Sequence, residues 1–181
     1  MALKSTIYKA ALNVADLDRS HFGDYPLTLA RHPSETDERL MVRVLAFALH
    51  ADERLEFGKG ISTDDEPALW LRDYGGEIRL WIEVGLPDEK LLRRAAGRAE
   101  RLAVLAYGGR AVDVWWAKQG PAVARLDNLT VLAVSGEESA GLEALASRNM
   151  QLQCTVQDGH VWLAAGEATL QITPKVLKAP A

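Results

Sequence analysis

The sequence predicts a mixed α/β (α+β) fold, with a mixed central sheet flanked by helices and extended by additional antiparallel strands. Three observations lead to this fold class. Apolar and polar residues alternate near both ends of the chain, which is typical of half-exposed strands. Segments 32–55 and 86–105 carry apolar residues at helical spacing. From residue 35 onwards, the patterns follow the order helix, strand, strand, strand, helix, strand.

The N-terminal segment predicts a pair of antiparallel strands. Residues 5–14 alternate between apolar and polar side chains, and residues 25–32 return with Leu27 and Leu29 on one face. A polar, turn-rich stretch separates the two segments. We therefore expect a hairpin at this end of the chain.

The first helix has a recognisable start and an unusual acid. Ser34 is the expected N-cap, because Asp37 three residues later completes a capping-box pattern. Seven residues at 100° each return to within about 20° of the starting direction, so Glu38 lies beneath Leu45. This position is on the buried side of the helix, which is an uncommon place for a carboxylate.

The middle of the chain predicts three strands and a second helix. A short strand is expected within 54–62, followed by strands over 68–72 and 78–84. The second helix is expected over 86–105, because Pro87 suits its first position and an apolar stripe follows.

The last third of the chain predicts further strands around one short helix. The expected elements are strands over 104–108, 111–117 and 128–134 and a helix over 136–149. Asp158-Gly159 is a strong hairpin signal between two alternating segments, and a third strand follows. Residues 174–181 are expected to form a loose end.

Size and composition set the broad class. The 181 residues suffice for one domain with a substantial core, so we expect a single domain over 1–181. The net charge of −4 argues against broad, non-specific coating of DNA. No apolar run approaches the roughly 20 residues needed to span a bilayer, and we expect no membrane association. The single cysteine, Cys154, excludes an internal disulfide, and a cytoplasmic location is expected.

Acidic side chains on several elements suggest a metal site. Glu38 lies on the first helix, Glu66 ends the acidic turn 64–66, and Glu83 lies near the end of a strand. Carboxylates that meet at one sheet end can hold Mg²⁺, which prefers oxygen ligands. Lys90 opens the next helix and would orient water or stabilise charge on a phosphodiester. An ordinary structural role for each of these residues remains the alternative.

Long segments of the chain resemble the YaeQ family of bacterial proteins. The resemblance runs nearly from end to end and rests on MALKSTIYKA, LTLARHPSETDERLMVRVLAFALHADERL, DDEPALWLRD, LWIEVGLPDEKLLRRA and TVQDGHVWL. The family is similar in fold to PD-(D/E)XK nucleases. The resemblance therefore implies an endonuclease-like α/β core with the element order given above.

Two residues match the nuclease pattern that this resemblance implies. Glu38 matches the acid on the first core helix, and Glu83 matches the acid of the (D/E)XK motif. Catalytic residues carried over in this way would be Glu38, Glu66, Glu83 and Lys90, and the three glutamates would be the metal ligands.

Two other positions depart from the pattern. The residue after Pro67 is Ala68 instead of aspartate, and Glu66 is the candidate replacement. The motif lysine would stand at position 85, which is a glycine, and Lys90 is the candidate that reaches back from the next helix.

The departures from the nuclease pattern at Ala68 and Gly85 favour the first of two functions. The first is a non-catalytic binding or regulatory protein that keeps part of an acidic metal-site constellation. The alternative is a Mg²⁺-dependent nuclease or another phosphodiesterase of the PD-(D/E)XK type. A nucleic acid or a protein is the expected partner, and the sequence leaves the oligomeric state open.

Overall fold

Residues 4–59 and 65–181 are described by a computed structural model, and they form two mixed β-sheets and four helices. The strands are β1 (Thr6–Asp16), β2 (His21–Arg31), β3 (Leu55–Phe57), β4 (Leu69–Arg72), β5 (Ile78–Val84), β6 (Ala99–Ala106), β7 (Leu129–Ala133), β8 (Asn149–Gln157), β9 (His160–Ala165), β10 (Ala168–Ile172) and β11 (Lys175–Lys178). The helices are α1 (Asp37–Leu49), α2 (Glu89–Arg98), α3 (Arg110–Val123) and α4 (Gly136–Ala144).

The helix α1 lies between the two sheets. Residues 40–48 of this helix are all buried, and a helix that is buried on every side needs cover on every side. A single cluster of buried side chains joins α1 to β1, β2, β8 and β9 on one side and to β4 and β5 on the other. The central helix therefore connects the cores of both sheets.

The helices α2 and α3 cover the second face of the six-stranded sheet. Trp81, Leu92 and Trp115 belong to a separate buried cluster on that face. The five-stranded sheet instead leaves one face exposed, because buried and exposed side chains alternate along β8. The fold thus has four layers, in the order five-stranded sheet, α1, six-stranded sheet, and α2 together with α3.

The strand order of each sheet fixes where loops meet. In the five-stranded sheet the order is β10-β9-β8-β1-β2, with β1 antiparallel to β2 and parallel to β8. In the six-stranded sheet the order is β11-β7-β6-β5-β4-β3, and β5, β6 and β7 are parallel. The carboxyl ends of these three strands therefore meet at one edge, close to the start of α1.

Most of the predicted elements are confirmed. The mixed α/β class holds, with the strands divided between two sheets. The N-terminal antiparallel pair, the strand Ile78–Val84 and the hairpin at Asp158-Gly159 are present as expected. The order helix, strand, strand, strand, helix, strand is also present from α1 to β6.

Two predicted element types are wrong, and parallel pairing explains both. Residues 111–117 belong to helix α3 instead of a strand, because the parallel strands β6 and β7 need a crossover between them. The second helix ends at Arg98, and β6 starts at Ala99. From Leu102 onwards this strand is buried on both faces, so its sequence there lacks the alternation that marks a half-exposed strand.

Two predicted ends also differ. Thr36, not Ser34, caps α1, because its hydroxyl oxygen accepts a hydrogen bond from the backbone N–H of Arg39 at 3.1 Å. Ser34 instead contacts the imidazole of His32 at 2.7 Å. The expected loose end contains β11, which pairs with β7 in antiparallel orientation.

Candidate functional site

Glu38 lies at the start of α1 and links this helix to α4. Its Oε2 atom accepts a hydrogen bond from the hydroxyl of Ser139 at 3.0 Å. Ser139 is 1% exposed, whereas Glu38 is half-buried. The predicted placement on the inner side of α1 is thus correct in direction, and the carboxylate serves the packing of two helices.

The most deeply buried acid in this region is Glu35, which is not among the site residues predicted from the sequence. Its carboxylate lies between Arg39 at 2.8 Å and Arg43 at 2.6 Å, and Arg43 also donates to the carbonyl of Ala30 at 3.3 Å. Burial lowers the pKa of Arg43, and the negative charge of Glu35 opposes this shift. The spacing of four residues between Glu35, Arg39 and Arg43 is the signal that would have identified the group.

Tyr107 places the phenol of a tyrosine beside these charges. It follows β6 directly, so it lies at the carboxyl edge of the parallel strands. Burial raises the pKa of Tyr107, and the charges of Glu38 and Glu35 raise it further against the effect of Arg39. The phenol therefore stays neutral near pH 7 and is able to donate a hydrogen bond.

Glu66 lies at the opening of the β3–β4 hairpin. Its Oε2 atom accepts from the backbone N–H of Lys59 at 3.0 Å, and its Oε1 atom lies 3.9 Å from the Lys59 ammonium. Asp64, which belongs to the same acidic turn, lies outside the described residues. The carboxylate of Glu66 thus contacts Lys59, which belongs to the same connection between β3 and β4.

Glu83 lies near the end of β5 on the face that α2 and α3 cover. The indole N–H of Trp81 donates to its Oε1 atom at 2.8 Å, because side chains two residues apart on a strand lie on the same face. Trp81 also pairs with Trp70 across β4 and β5, at a ring-centroid distance of 6.1 Å. Glu38 belongs to α1, which packs on the opposite face of this sheet.

Lys90 and Gly85 occupy the remaining positions of the expected motif. Lys90 is exposed on α2. Gly85 has a φ angle of +103°, and its backbone N–H donates to the carbonyl of Leu105 at 3.0 Å. A side chain at this φ is strained, so the conformation of the chain explains why glycine stands where the nuclease motif has lysine.

The carboxylates do not converge in the part of the chain that the structure describes. Within residues 4–59 and 65–181, no three His, Cys, Asp or Glu side chains are grouped closely enough to hold a metal ion. Glu38, Glu66 and Glu83 each contact a different part of the protein and do not form one ligand set as arranged. Their assignment as Mg²⁺ ligands, and that of Lys90 to catalysis, stay predictions.

Comparison with known proteins decides the family. A sequence model described as YaeQ protein matches residues 1–174. The chain belongs to the YaeQ family.

Bacterial relatives cover almost the whole chain. The Uncharacterized protein YaeQ of Salmonella typhi is 50% identical over 172 residues, covering 95% of both chains. The Escherichia coli protein of the same name is 49% identical over the same length and coverage. These relatives place the chain in the YaeQ family without assigning an activity.

Solved structures of the family have the same fold. The YaeQ protein from Xanthomonas axonopodis pv. citri has a TM-score of 0.95 and 48% identity, with 97% of this chain and 99% of that chain covered. The YaeQ protein from Pseudomonas syringae has a TM-score of 0.91 and 38% identity, with 97% of each chain covered. The two-sheet architecture described above is therefore that of the family.

Proposed function

We propose that this YaeQ family member is a non-catalytic binding or regulatory protein, whose acidic residues hold the fold together. The observation that carries the proposal is that Glu38, Glu66 and Glu83 each accept a hydrogen bond from the protein itself, at separate places. These contacts hold the three carboxylates at different places, and the side chains would have to leave these positions before all three could share one cation.

The chain conformation at Gly85 supports the same function. A lysine at this position would have to adopt a positive φ, which costs about 1 kcal/mol or more for a residue with a side chain. Lys90 is exposed on the next helix instead. The end of β5 therefore carries the acid of the expected nuclease motif, Glu83, without a lysine two residues later.

The alternative is a Mg²⁺-dependent nuclease or another phosphodiesterase. It is favoured by the element order from α1 to β6, and by the position of Glu38 beside Tyr107 at the carboxyl edge of the parallel strands. Ligands of α/β proteins often bind at such an edge. In this alternative, Glu38, Glu66 and Glu83 would hold Mg²⁺, which would activate water and stabilise negative charge.

Calorimetric titration separates the two functions. The wild-type protein and the Glu83→Gln variant are titrated with Mg²⁺ and Mn²⁺, and Glu143→Gln serves as the control because Glu143 is exposed on α4. The proposal expects no saturable binding in any of the three proteins. A screen for cleavage of single-stranded, duplex and branched DNA and RNA, with either metal present, is expected to give no product.

The outcomes of this experiment are distinct. Metal binding that is lost in Glu83→Gln, without cleavage, would identify a metal-dependent binding protein and refute the structural role of the acids. Metal binding together with cleavage that depends on Glu83 would establish the nuclease alternative. The absence of both in all three proteins would support the proposal.

The proposal also includes a location in the cytoplasm. Within the described residues, no helix has the length and apolar character that crossing a bilayer requires. Fractionation of cells that express the protein tests the location, since recovery with periplasmic markers would contradict it.

A further inference from the structure

A long groove separates the exposed edges of the two sheets on the side of α1 away from Glu38. It encloses about 820 Å³. One wall consists of residues 21–28 of β2, and the other consists of residues 52–55 and Phe57. Because eight consecutive strand residues line it, the groove extends for about 24 Å at 3.4 Å per residue. This length suits an extended chain better than a compact small molecule.

The strand β2 presents backbone groups to the groove that pair with no other strand among the described residues. It is the last strand of its sheet, and the carbonyl of Ala30 points away from β1 because Arg43 donates to it. In an antiparallel pair, every second residue shares this direction. The backbone N–H and C=O groups of Phe22, Asp24 and Thr28 therefore also point away from β1, towards the free edge.

Pro26 lies in the same alternating series and agrees with this assignment. Proline has no backbone N–H, and it is tolerated within a sheet where that group would face away from the neighbouring strand. Pro26 thus costs β2 no hydrogen bond with β1. It interrupts the free edge at one position and leaves donors on both sides.

Aromatic rings form the floor and the ends of the groove. Tyr25, Phe47 and Phe57 make successive ring contacts with centroid distances of 5.3 and 5.6 Å. Phe22 is 66% exposed and Tyr74 is 93% exposed. Large aromatic side chains with this exposure beside a groove are typical of binding surfaces.

The charge of the groove is negative. Asp24, Asp52 and Glu53 line it, and none of them forms an ion pair with any lysine or arginine within the described ranges. The cation Arg54 is engaged with the ring of Tyr74 at 4.2 Å. These carboxylates would repel a nucleic acid backbone and attract a basic partner.

The pKa of Tyr25 at the floor of the groove responds to the same negative charges. The pKa of Tyr25 is raised by burial first and then by the negative charges of Asp52 and Glu53, against the effect of Arg19. The carboxylates thus act at the floor of the groove as well as at its rim.

We infer that the groove between β2 and β3 binds an extended, basic peptide segment, which adds to the free edge of β2. Backbone pairing would supply affinity along the strand, and aromatic contacts and carboxylates would select apolar and cationic side chains. The inference rests on the proposed binding function and names its partner class, a lysine- or arginine-rich segment of another protein.

A library selection tests this inference. Random peptides about ten residues long, enough to span the eight groove positions at 3.4 Å each, are displayed and selected against the wild-type protein. Enriched peptides are synthesised and their affinity is measured by fluorescence anisotropy. We expect lysine or arginine alternating with apolar residues, and binding that weakens as salt increases.

Three variants locate the binding. Asp52→Asn combined with Glu53→Gln is expected to weaken the peptides about tenfold, because it removes two groove charges. Asp127→Asn combined with Glu143→Gln makes the same change in net charge away from the groove, and we expect unchanged affinity. Thr28→Pro removes one outward N–H without removing a bond to β1, and it is expected to weaken binding by a similar factor while the far-UV circular dichroism spectrum is preserved.

Each contrary result overturns the inference. Failure to enrich any peptide, enrichment of acidic peptides, or equal effects of the groove and control charge variants would each do so. Tighter binding of a labelled oligouridine than of the peptides would assign the groove to nucleic acid instead. The metal and cleavage assays do not involve these variants, so failure here is distinguishable from failure of the proposed function.

Discussion

At the scale of single residues, Glu35 is the charge whose removal should matter most. It is 4% exposed between Arg39 and the fully buried Arg43. Glu35→Gln would leave the Arg43 charge buried without its counter-ion, and we expect a loss of about 3–5 kcal/mol in the free energy of unfolding. Urea denaturation at pH 7 measures this loss.

An exposed pair provides the control for this variant. Glu89 contacts Arg93 at 2.8 Å on the surface of α2, and Glu89→Gln should cost about 0.5 kcal/mol or less. Equal losses in the two variants would show that Glu35 does not compensate a buried charge.

His50 gives the protein a defined sensitivity to acid. Burial, together with the positive charges of Arg19 and Arg101, lowers the pKa of His50 to about 4 from its ordinary value of 6.5. The unfolded chain therefore takes up a proton at a higher pH than the folded protein. Stability from this residue is complete above pH 6.5 and falls as the pH decreases towards 4, by up to about 3 kcal/mol.

Replacement of His50 tests this pH dependence. His50→Gln cannot titrate, so its unfolding free energy should fall less between pH 7 and pH 4 than that of the wild type, as measured by urea denaturation across this range. His32→Gln serves as the control, because His32 is exposed. Parallel curves for wild type and His50→Gln would contradict the assignment.

The sequence predicted positions of acids better than their partners. Glu83 lies near the end of its strand as predicted, and its contact with Trp81 follows from strand geometry, because side chains two residues apart on a strand share a face. The partner of Glu38 is Ser139, which is 101 positions away in the chain. Local periodicity carries no information about such a contact, which depends on how α1 and α4 pack.

At the scale of elements, half-exposed strands were predictable and buried ones were not. β1 and β8 alternate because one face of their sheet is open. β6 is buried on both faces from Leu102 onwards, and Ala99, Leu102 and Ala103 continue the helical spacing of the apolar residues of α2. The strand content of segment 111–117 was overestimated because its valines and tryptophans favour strands locally, whereas the crossover between β6 and β7 requires a helix.

Two glycines should respond in opposite directions to the same substitution. Gly85 has a φ of +103° at the end of β5, so Gly85→Ala is expected to destabilise by about 1–2 kcal/mol. Gly97 lies within α2 with no atom near an added Cβ. Gly97→Ala should therefore stabilise by about 0.5–1 kcal/mol. Thermal unfolding of the two variants measures the sign, and stabilisation by Gly85→Ala would refute the strain at this position.

At the scale of the whole molecule, the chain passes repeatedly between the two sheets. β1 and β2 open the five-stranded sheet, residues 55–133 build most of the six-stranded sheet, and β8 then returns to pair with β1. After β10 the chain crosses again, and β11 pairs with β7. The sequence did not indicate these returns, because pairing between distant strands leaves no local pattern.

This interleaving predicts that both sheets unfold together. Cys154 lies in β8, is fully buried, and has a pKa raised to about 12 by burial, so its reaction with a thiol reagent reports opening of the five-stranded sheet. In a Trp162→Phe variant, the remaining tryptophans report the six-stranded sheet and its helices. Because one buried cluster joins both sheets through α1, the two signals should change at the same urea concentration.

Leu177→Ala, which removes packing of β11 against the cluster around Trp81, should lower both midpoints equally. Exposure of Cys154 at a lower urea concentration than the fluorescence change would show that the sheets are separate folding units.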